Sequence, residues 1–224
     1  MDLNFYHENG YWIQENVFSD RECAHLIEAS KSFENYANGT HRPAMMPHRT
    51  DNLYLDAMRK PEILATIELV VSGKPAGLQT EFFYCKPGTR GFSLHQDNFF
   101  VQAPMGAFAS AWCALTDTYR EKGGLIVYPG THKEGLLPVH KLAVAQDDGQ
   151  DPNANNEEVD VPPKYKLLNV CVPKGAVLYI HGHLVHGSNP NVTDEWRHVL
   201  LCTYIRTGEP FRAGKYAQRE AVLL

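Results

Sequence analysis

From residue 78 the chain reads LQTEFFYCK, and the texture that begins there recurs to the last third of the molecule. β-Branched and aromatic residues fill further short runs: GAFASAWCALTD (106–117), GLIVYPG (124–130), KLLNVCVP (166–173), AVLYIHG (176–182) and HVLLCTYI (198–205). Clusters of Gly, Pro, Asn and Asp separate them, as turns between strands require. The spacing is that of antiparallel strands in a sandwich or jelly roll, in contrast to the strand–helix alternation of a parallel sheet.

Upstream the chain reads as helical. In SDREC (19–23), Ser19 is followed three residues later by Glu22, a capping box, and AHLIEASKSF (24–33) continues with helical spacing. A second helix is expected from Pro61, a residue suited to the first turn, to Gly73. Between them NYANGTHRPAMMPHRTDN (35–52) reads as a surface loop, with a substrate-facing rim as the sharper alternative. The acidic stretch AVAQDDGQDPNANNEEVDVPPKYK (143–166) reads as a surface excursion in preference to a lid. The expected organisation is one domain over residues 1–224, with a helical part over 1–77 and a β core over 78–210.

Composition narrows the function classes. With 43% hydrophobic and 21% charged residues the chain has the make-up of a globular protein, and its formal charge of −5 argues against a nucleic-acid partner. The longest apolar runs, ATIELVVSG (65–73) and RHVLLCTYI (197–205), fall far short of the ~20 residues a membrane span needs. The opening MDLNFYHENGYWIQENVF has neither the basic start nor the apolar core of a signal peptide. Cys23, Cys85, Cys113, Cys171 and Cys202 are odd in number, scattered and without a CxxC pair. Four of them sit in apolar runs, which suits buried thiols in a reducing compartment, and a cytoplasmic location is expected.

His95 and Asp97 stand two residues apart in LHQDNF (94–99). On a strand such residues share a face and reach one point. Two histidines and one carboxylate make the facial triad of non-haem Fe(II) oxygenases, whereas catalytic zinc more often takes three histidines, or two and a glutamate. YIHGHLVHGS (179–188) offers His181, His183 and His186. Ser188 shares the strand face of His186, and a turn through Asn189, Pro190 and Asn191 would return Arg197 on an antiparallel strand beside that face. A guanidinium with a hydroxyl at that depth suits a carboxylate. His181 and His183 have the opposite strand parity, which selects His186 as the ligand. HxD alone recurs by chance; HxD with about 90 residues of β-patterned chain and then His-x-Ser and Arg is a much more demanding pattern.

At these residues the sequence resembles the phytanoyl-CoA dioxygenase family of Fe(II)/2-oxoglutarate oxygenases, including its bacterial ectoine-hydroxylase-like branch. The matching stretches are FFYCKPGTRGFSLHQDNFFVQAP (82–104), AWCALTDTYREKGGLIVYPGTHKEG (111–135) and VPKGAVLYIHGHLVHGSNPN (172–191), then Arg197. The opening ENGYWIQENVFSDRECAHLI (8–27) is similar to the family's start. The resemblance implies a mainly β fold with flanking N-terminal helices around a double-stranded β-helix (jelly-roll, cupin-like) core. It implies Fe(II) held by His95, Asp97 and His186, and 2-oxoglutarate anchored at its far carboxylate by Arg197 and Ser188. Trp112 falls where the family places an aromatic beside the co-substrate, with plain core packing as the alternative. Gln79 falls where the ectoine branch has a glutamine facing that pocket, with a solvent-facing strand position as the alternative.

The chemistry implied is conversion of 2-oxoglutarate and O2 to succinate and CO2, coupled to hydroxylation of an unactivated C–H bond. Related halogenases lack the carboxylate that Asp97 supplies, which argues against halogenation. Desaturation, epimerisation and ring formation stay open as alternatives. His41, Arg42, His48, Arg49 and Arg90 read as a solvated loop, or else as a local positive rim. With no basic track for a CoA group, a small polar metabolite is the expected substrate. Asn98 reads as orienting the carboxylate, meeting substrate, or closing a strand edge. A non-catalytic jelly-roll module would show a broken triad or a lost arginine, and a zinc or manganese cupin enzyme would have no use for Arg197 and Ser188.

Overall fold

The computed structural model describes residues 1–37, 42–142 and 157–224. Its strands are β1 (Tyr11–Gln14), β2 (Ala44–Met45), β3 (Pro75–Cys85), β4 (Phe108–Ala114), β5 (Leu125–Val127), β6 (Val139–Lys141), β7 (Glu157–Val159), β8 (Leu168–Asn169), β9 (Val177–His181), β10 (His186–Ser188) and β11 (Arg197–Arg206). The helices are α1 (Leu3–Asn9), α2 (Asp20–Ser30), α3 (Glu34–Ala37), α4 (Asn52–Met58), α5 (Pro61–Val70) and α6 (Asp97–Val101). A six-stranded sheet runs in the order β1-β9-β4-β11-β3-β2, opposite a three-stranded sheet β10-β5-β8, with β6-β7 as a separate pair. Every pairing is antiparallel.

The large sheet is covered on both faces, which explains why its strands read as nearly continuous apolar runs. Phe82, Tyr84, Ala111, Cys113, Tyr179, Leu200 and Tyr204 turn outward and bury against Cys23 and Leu26 of α2, Tyr54 and Met58 of α4, and Ile63 and Ile67 of α5. Trp112, Ala114, Leu178, Ile180 and Val199 turn inward toward Leu125 and Val127 of the small sheet. The helix starts follow the sequence chemistry. Ser19 accepts from the Glu22 backbone, and the Glu22 carboxylate accepts from the Ser19 N–H at 2.7 Å. Pro61 opens α5, which ends at Val70.

Two strands, β1 and β2, interrupt the helices of the first third. Residues 42–52 are a solvated loop only in part: Arg42, Met45 and residues 49–52 are exposed and Met45 lines the large cavity, but β2 adds to the edge of β3, and the Met46 N–H donates to Thr80 O at 2.8 Å. His48 is buried with Nδ1 2.6 Å from Thr80 Oγ1, and burial lowers its pKa, so it supplies no rim charge. His41 and its neighbours 38–41 lie outside the described residues, as do residues 143–156 of the acidic stretch. The end of that stretch is built into the structure, since β7 pairs with β6 and the Val159 N–H donates to Leu94 O at 2.9 Å. Cys23, Cys85, Cys113 and Cys202 are buried, Cys171 is exposed, and all five thiols are free. No helix among the described residues is long and apolar enough to cross a membrane.

One close approach joins the segment before His95 to the small sheet. The Ser188 N–H donates to Phe92 O at 3.1 Å, and a Cβ on Gly91 would sit 1.8 Å from Ser188 O. Gly91→Ala therefore forces the segment off β10, and a destabilisation of about 1–3 kcal/mol is expected in urea denaturation.

Candidate metal centre

His95 and His186 form an antiparallel bridge, with N–H to O distances of 2.8 Å and 3.0 Å in the two directions. This main-chain exchange brings their rings to 4.3 Å between centroids. Gln96 is extended (φ −122°, ψ 123°), so Asp97 turns back to the His95 side. Asp97 is not on a strand, however: it opens α6, and one extended residue suffices to make the two side chains converge. Its Oδ1 lies 3.6 Å from Nε2 of both His95 and His186. One ligand atom from each of the three residues falls within 4.8 Å of the others.

The outward nitrogens are spoken for. His95 Nδ1 lies 2.8 Å from Ser93 O, and His186 Nδ1 lies 3.0 Å from Leu184 O. A carbonyl only accepts, so each Nδ1 carries a proton, and Nε2 is the atom each ring turns toward Asp97. Loss of hydration and the neighbouring His186 push His95 down to about 4. Burial works to raise the Asp97 pKa, but His186, His95 and the Ser110 hydroxyl together outweigh it and leave the pKa lowered. Ser110 Oγ donates to Asp97 Oδ2 at 2.6 Å, fixing the oxygen that faces away from the imidazoles. Two imidazoles that turn Nε2 toward one carboxylate fit a divalent transition metal.

The same cavity, about 760 Å³ in volume, is lined by Arg197, Ser188, Trp112 and Gln79. Arg197 does not return beside β10. The chain crosses to the large sheet, where Arg197 pairs with Cys85 of β3, and its guanidinium reaches the cavity from the opposing wall. Nη1 donates to Gly123 O, Nη2 donates to Cys85 Sγ at 2.7 Å, and Nε is buried without a partner. The guanidinium lies over the Trp112 ring at 5.9 Å, so Trp112 both fills the core and floors this pocket. Ser188 Oγ accepts from the Phe92 N–H at 3.0 Å, which leaves its own proton to donate. Gln79 is buried, not solvent-facing; Nε2 donates to Glu81, and Oε1 has no partner.

The parity argument against His181 and His183 does not apply, because β9 stops at His181 and a turn precedes β10. Tertiary contacts set them apart instead. Gln96, pointing away from His95 and Asp97, donates to His183 O at 2.6 Å and Gly135 O at 2.7 Å. Asn98 is neither at a strand edge nor in the cavity lining: its amide bonds Ala103 O at 2.9 Å and His183 Nε2 at 3.0 Å. His181 stacks near His132 (4.9 Å) and His183 (5.6 Å), and burial, with those two imidazoles, pushes it down to about 3. Ser110 was not singled out by the sequence pattern, yet it stands two residues before Trp112 on β4 and so shares its inward face.

Residues 6–199 match the family model described as Phytanoyl-CoA dioxygenase (PhyH). The chain belongs to the phytanoyl-CoA dioxygenase (PhyH) family. It is 28% identical over 155 residues to a phytanoyl-CoA dioxygenase of Arabidopsis thaliana, a match covering 67% of this chain and 52% of that protein. With phytanoyl-CoA dioxygenase domain-containing protein 1 of Danio rerio it shares 30% identity over 156 residues, 68% of this chain and 52% of that one. The PhyH chain thus spans about half the length of the curated relatives it matches. It superposes on EvdO2 of Micromonospora carbonacea var. aurantiaca complexed with 2-oxoglutarate at a TM-score of 0.78 and 16% identity, covering 96% and 94% of the two chains. The epimerase SnoN, in complex with Fe3+, alpha ketoglutarate and nogalamycin RO, gives 0.74 at 17% identity, covering 99% and 93%. At such identities the likeness establishes the fold, a double-stranded β-helix.

Two outcomes are expected. Ser110→Ala frees one oxygen of Asp97 and should weaken divalent-metal affinity by about 10–100-fold in a Co(II) titration, with Ser110→Thr restoring most of it. The second concerns the buried rings of His181 and His198, the latter pushed down to about 4 by burial and Lys122. Unfolded imidazoles take up protons below about pH 6.5 while these two stay neutral, so stability should fall as pH drops from 6.5 toward 4. The slope should be about 1.4 kcal/mol per pH unit for each ring, read from urea denaturation, and His198→Gln should reduce it by about that amount.

Proposed function

We propose that this protein is a non-haem Fe(II)- and 2-oxoglutarate-dependent dioxygenase that hydroxylates an unactivated C–H bond of a small polar metabolite. The observation that carries the reading is a single cavity holding both the His95, Asp97 and His186 cluster and, on the opposing wall, a buried arginine that no carboxylate pairs among the described residues. A guanidinium 3% exposed and left uncompensated is costly, so the wall is built to receive an anion. A keto acid with a second carboxylate satisfies both ends, chelating the metal and meeting Arg197. When bound, iron supplies the oxidising chemistry with O2 and the keto acid.

The chain's own residues then divide the work. His95, Asp97 and His186 would hold the metal, which would supply the oxidising chemistry. Arg197 and Ser188 hold the far carboxylate, and the Trp112 ring fixes the plane of the guanidinium. Phe83, Phe92, Phe108 and Leu201 line the cavity and exclude water from the reacting carbon. Free cysteines throughout the chain support a reducing compartment such as the cytoplasm as the place of action.

The test is anaerobic loading with Fe(II) and 2-oxoglutarate, followed by O2 and quantification of succinate. Oxygen-dependent succinate is expected from the wild type, with Asp97→Ala and Arg197→Ala lowering its rate by at least ~100-fold. Arg197→Ala should also raise the 2-oxoglutarate Kd at least ~30-fold, the loss expected when one partner of a buried charge pair is removed. A wild type that neither binds 2-oxoglutarate nor forms succinate overturns the reading.

A further inference from the structure

The cavity wall does not end with β11. The C-terminal segment returns across it and contributes Arg212, Lys215, Tyr216 and Arg219 to the lining. Its position is secured by bonds from residues other than Arg219. Arg212 Nε and Nη2 donate to Phe100 O and Phe99 O, both at 3.0 Å. Val222 and Gly77 exchange main-chain bonds of 2.8 Å and 2.9 Å, and Arg49 Nη2 donates to Gln218 O at 2.6 Å.

Arg219 is different. It is half-buried, its Nη1 reaches only backbone carbonyls at 3.4–3.5 Å, and its Nε is buried with no partner. No carboxylate among the described residues forms an ion pair with it, although Glu81 and Asp97 are near enough for their charges to act on it. Phe100, one of the carbonyls it reaches, lies three residues beyond Asp97 on α6, a rise of about 4.5 Å. The guanidinium therefore shares one cavity with the His95, Asp97 and His186 cluster, and Phe83, Phe92, Phe108 and Leu201 line that cavity too.

We infer that Arg219 determines substrate choice by receiving a carboxylate, and that the substrate is a small carboxylic acid with an apolar body, held between this guanidinium and the metal cluster. Two N–H groups on one edge of a guanidinium match the two oxygens of a carboxylate. Arg212 is occupied by two carbonyls and Lys215 lies over the Tyr216 ring at 5.4 Å, so Arg219 is the guanidinium offered to an anion here, one fork matched to one carboxylate. Only the word substrate rests on the oxygenase reading; the acid site stands on the cavity itself.

Calorimetry on the anaerobic Fe(II)- and 2-oxoglutarate-loaded protein decides it, with hexanoate, 3-phenylpropanoate and indole-3-acetate each set against its own primary amide. At least one acid is expected to bind tenfold or more tighter than its amide, a difference of about 1.4 kcal/mol. Arg219→Gln should bring that ratio to near one, Arg219→Lys should restore part of it, and the 2-oxoglutarate Kd should stay the same in all three proteins. Equal affinity of every acid and amide, or an acid preference that survives in Arg219→Gln, overturns the inference. So does phenyl phosphate binding tighter than the acids, or a loss of 2-oxoglutarate affinity in Arg219→Gln, which would hand the guanidinium to the co-substrate. If the wild type takes up no 2-oxoglutarate, that failure belongs to the oxygenase reading, and the same titrations on the metal-free protein decide the acid-to-amide ratio.

Discussion

The reciprocal main-chain bonds between His95 and His186 are what the site depends on. A hydrogen-bonded antiparallel pair holds its Cα atoms about 5.5 Å apart with both side chains on one side, so two imidazoles meet without help from side-chain packing. Each ring is then locked by a carbonyl two residues upstream, Ser93 O for one and Leu184 O for the other. One extended residue, Gln96, brings Asp97 to the same point, and the Gln96 side chain fastens the reverse face to His183, Gly135 and Leu137. A three-residue strand and a single bridge thus carry geometry that would be loose on a free loop.

The polar atoms left unsatisfied tell where ligands belong. Buried side-chain atoms without a hydrogen-bond partner are rare in folded proteins. Among the described residues, Gln79 Oε1, Arg197 Nε, Thr203 Oγ1 and Arg219 Nε are such atoms on residues that line the cavity with His95, Asp97 and His186, while others lie elsewhere, on Tyr6, Tyr84, Thr89, His132 and His198. Elsewhere the large sheet is sealed, by helices outside and by the small sheet within. The four in the cavity stand where a co-substrate and a substrate are proposed to bind.

Much of the candidate site was legible in the chain because its residues obey local rules. His95 and Asp97 are two residues apart with an extended residue between them, and Ser188 follows His186 on the same short strand. Ser110 was equally legible, being two residues from Trp112 on a strand, but serine in an apolar run carries no signal until its partner is known. Arg197 lines the cavity, but by another path than the one read from the sequence: the turn after Ser188 leads to the opposite sheet instead of back along β10. His48 reads as loop charge because its partner, Thr80, is 32 residues away.

The sequence by itself determined the alternating and apolar runs that become an antiparallel double sheet, the capping of α2, and the types of residue able to bind a metal and a carboxylate. These depend on periodicity and on neighbours within a few residues, where chain geometry is nearly invariant. Only the tertiary structure decided which wall each charge comes from, that His181 and His183 face another cluster, and that Arg219 closes the cavity. Those outcomes depend on how the two sheets and the returning C-terminal segment meet, through contacts between residues as far as 169 positions apart, as for Arg49 and Gln218.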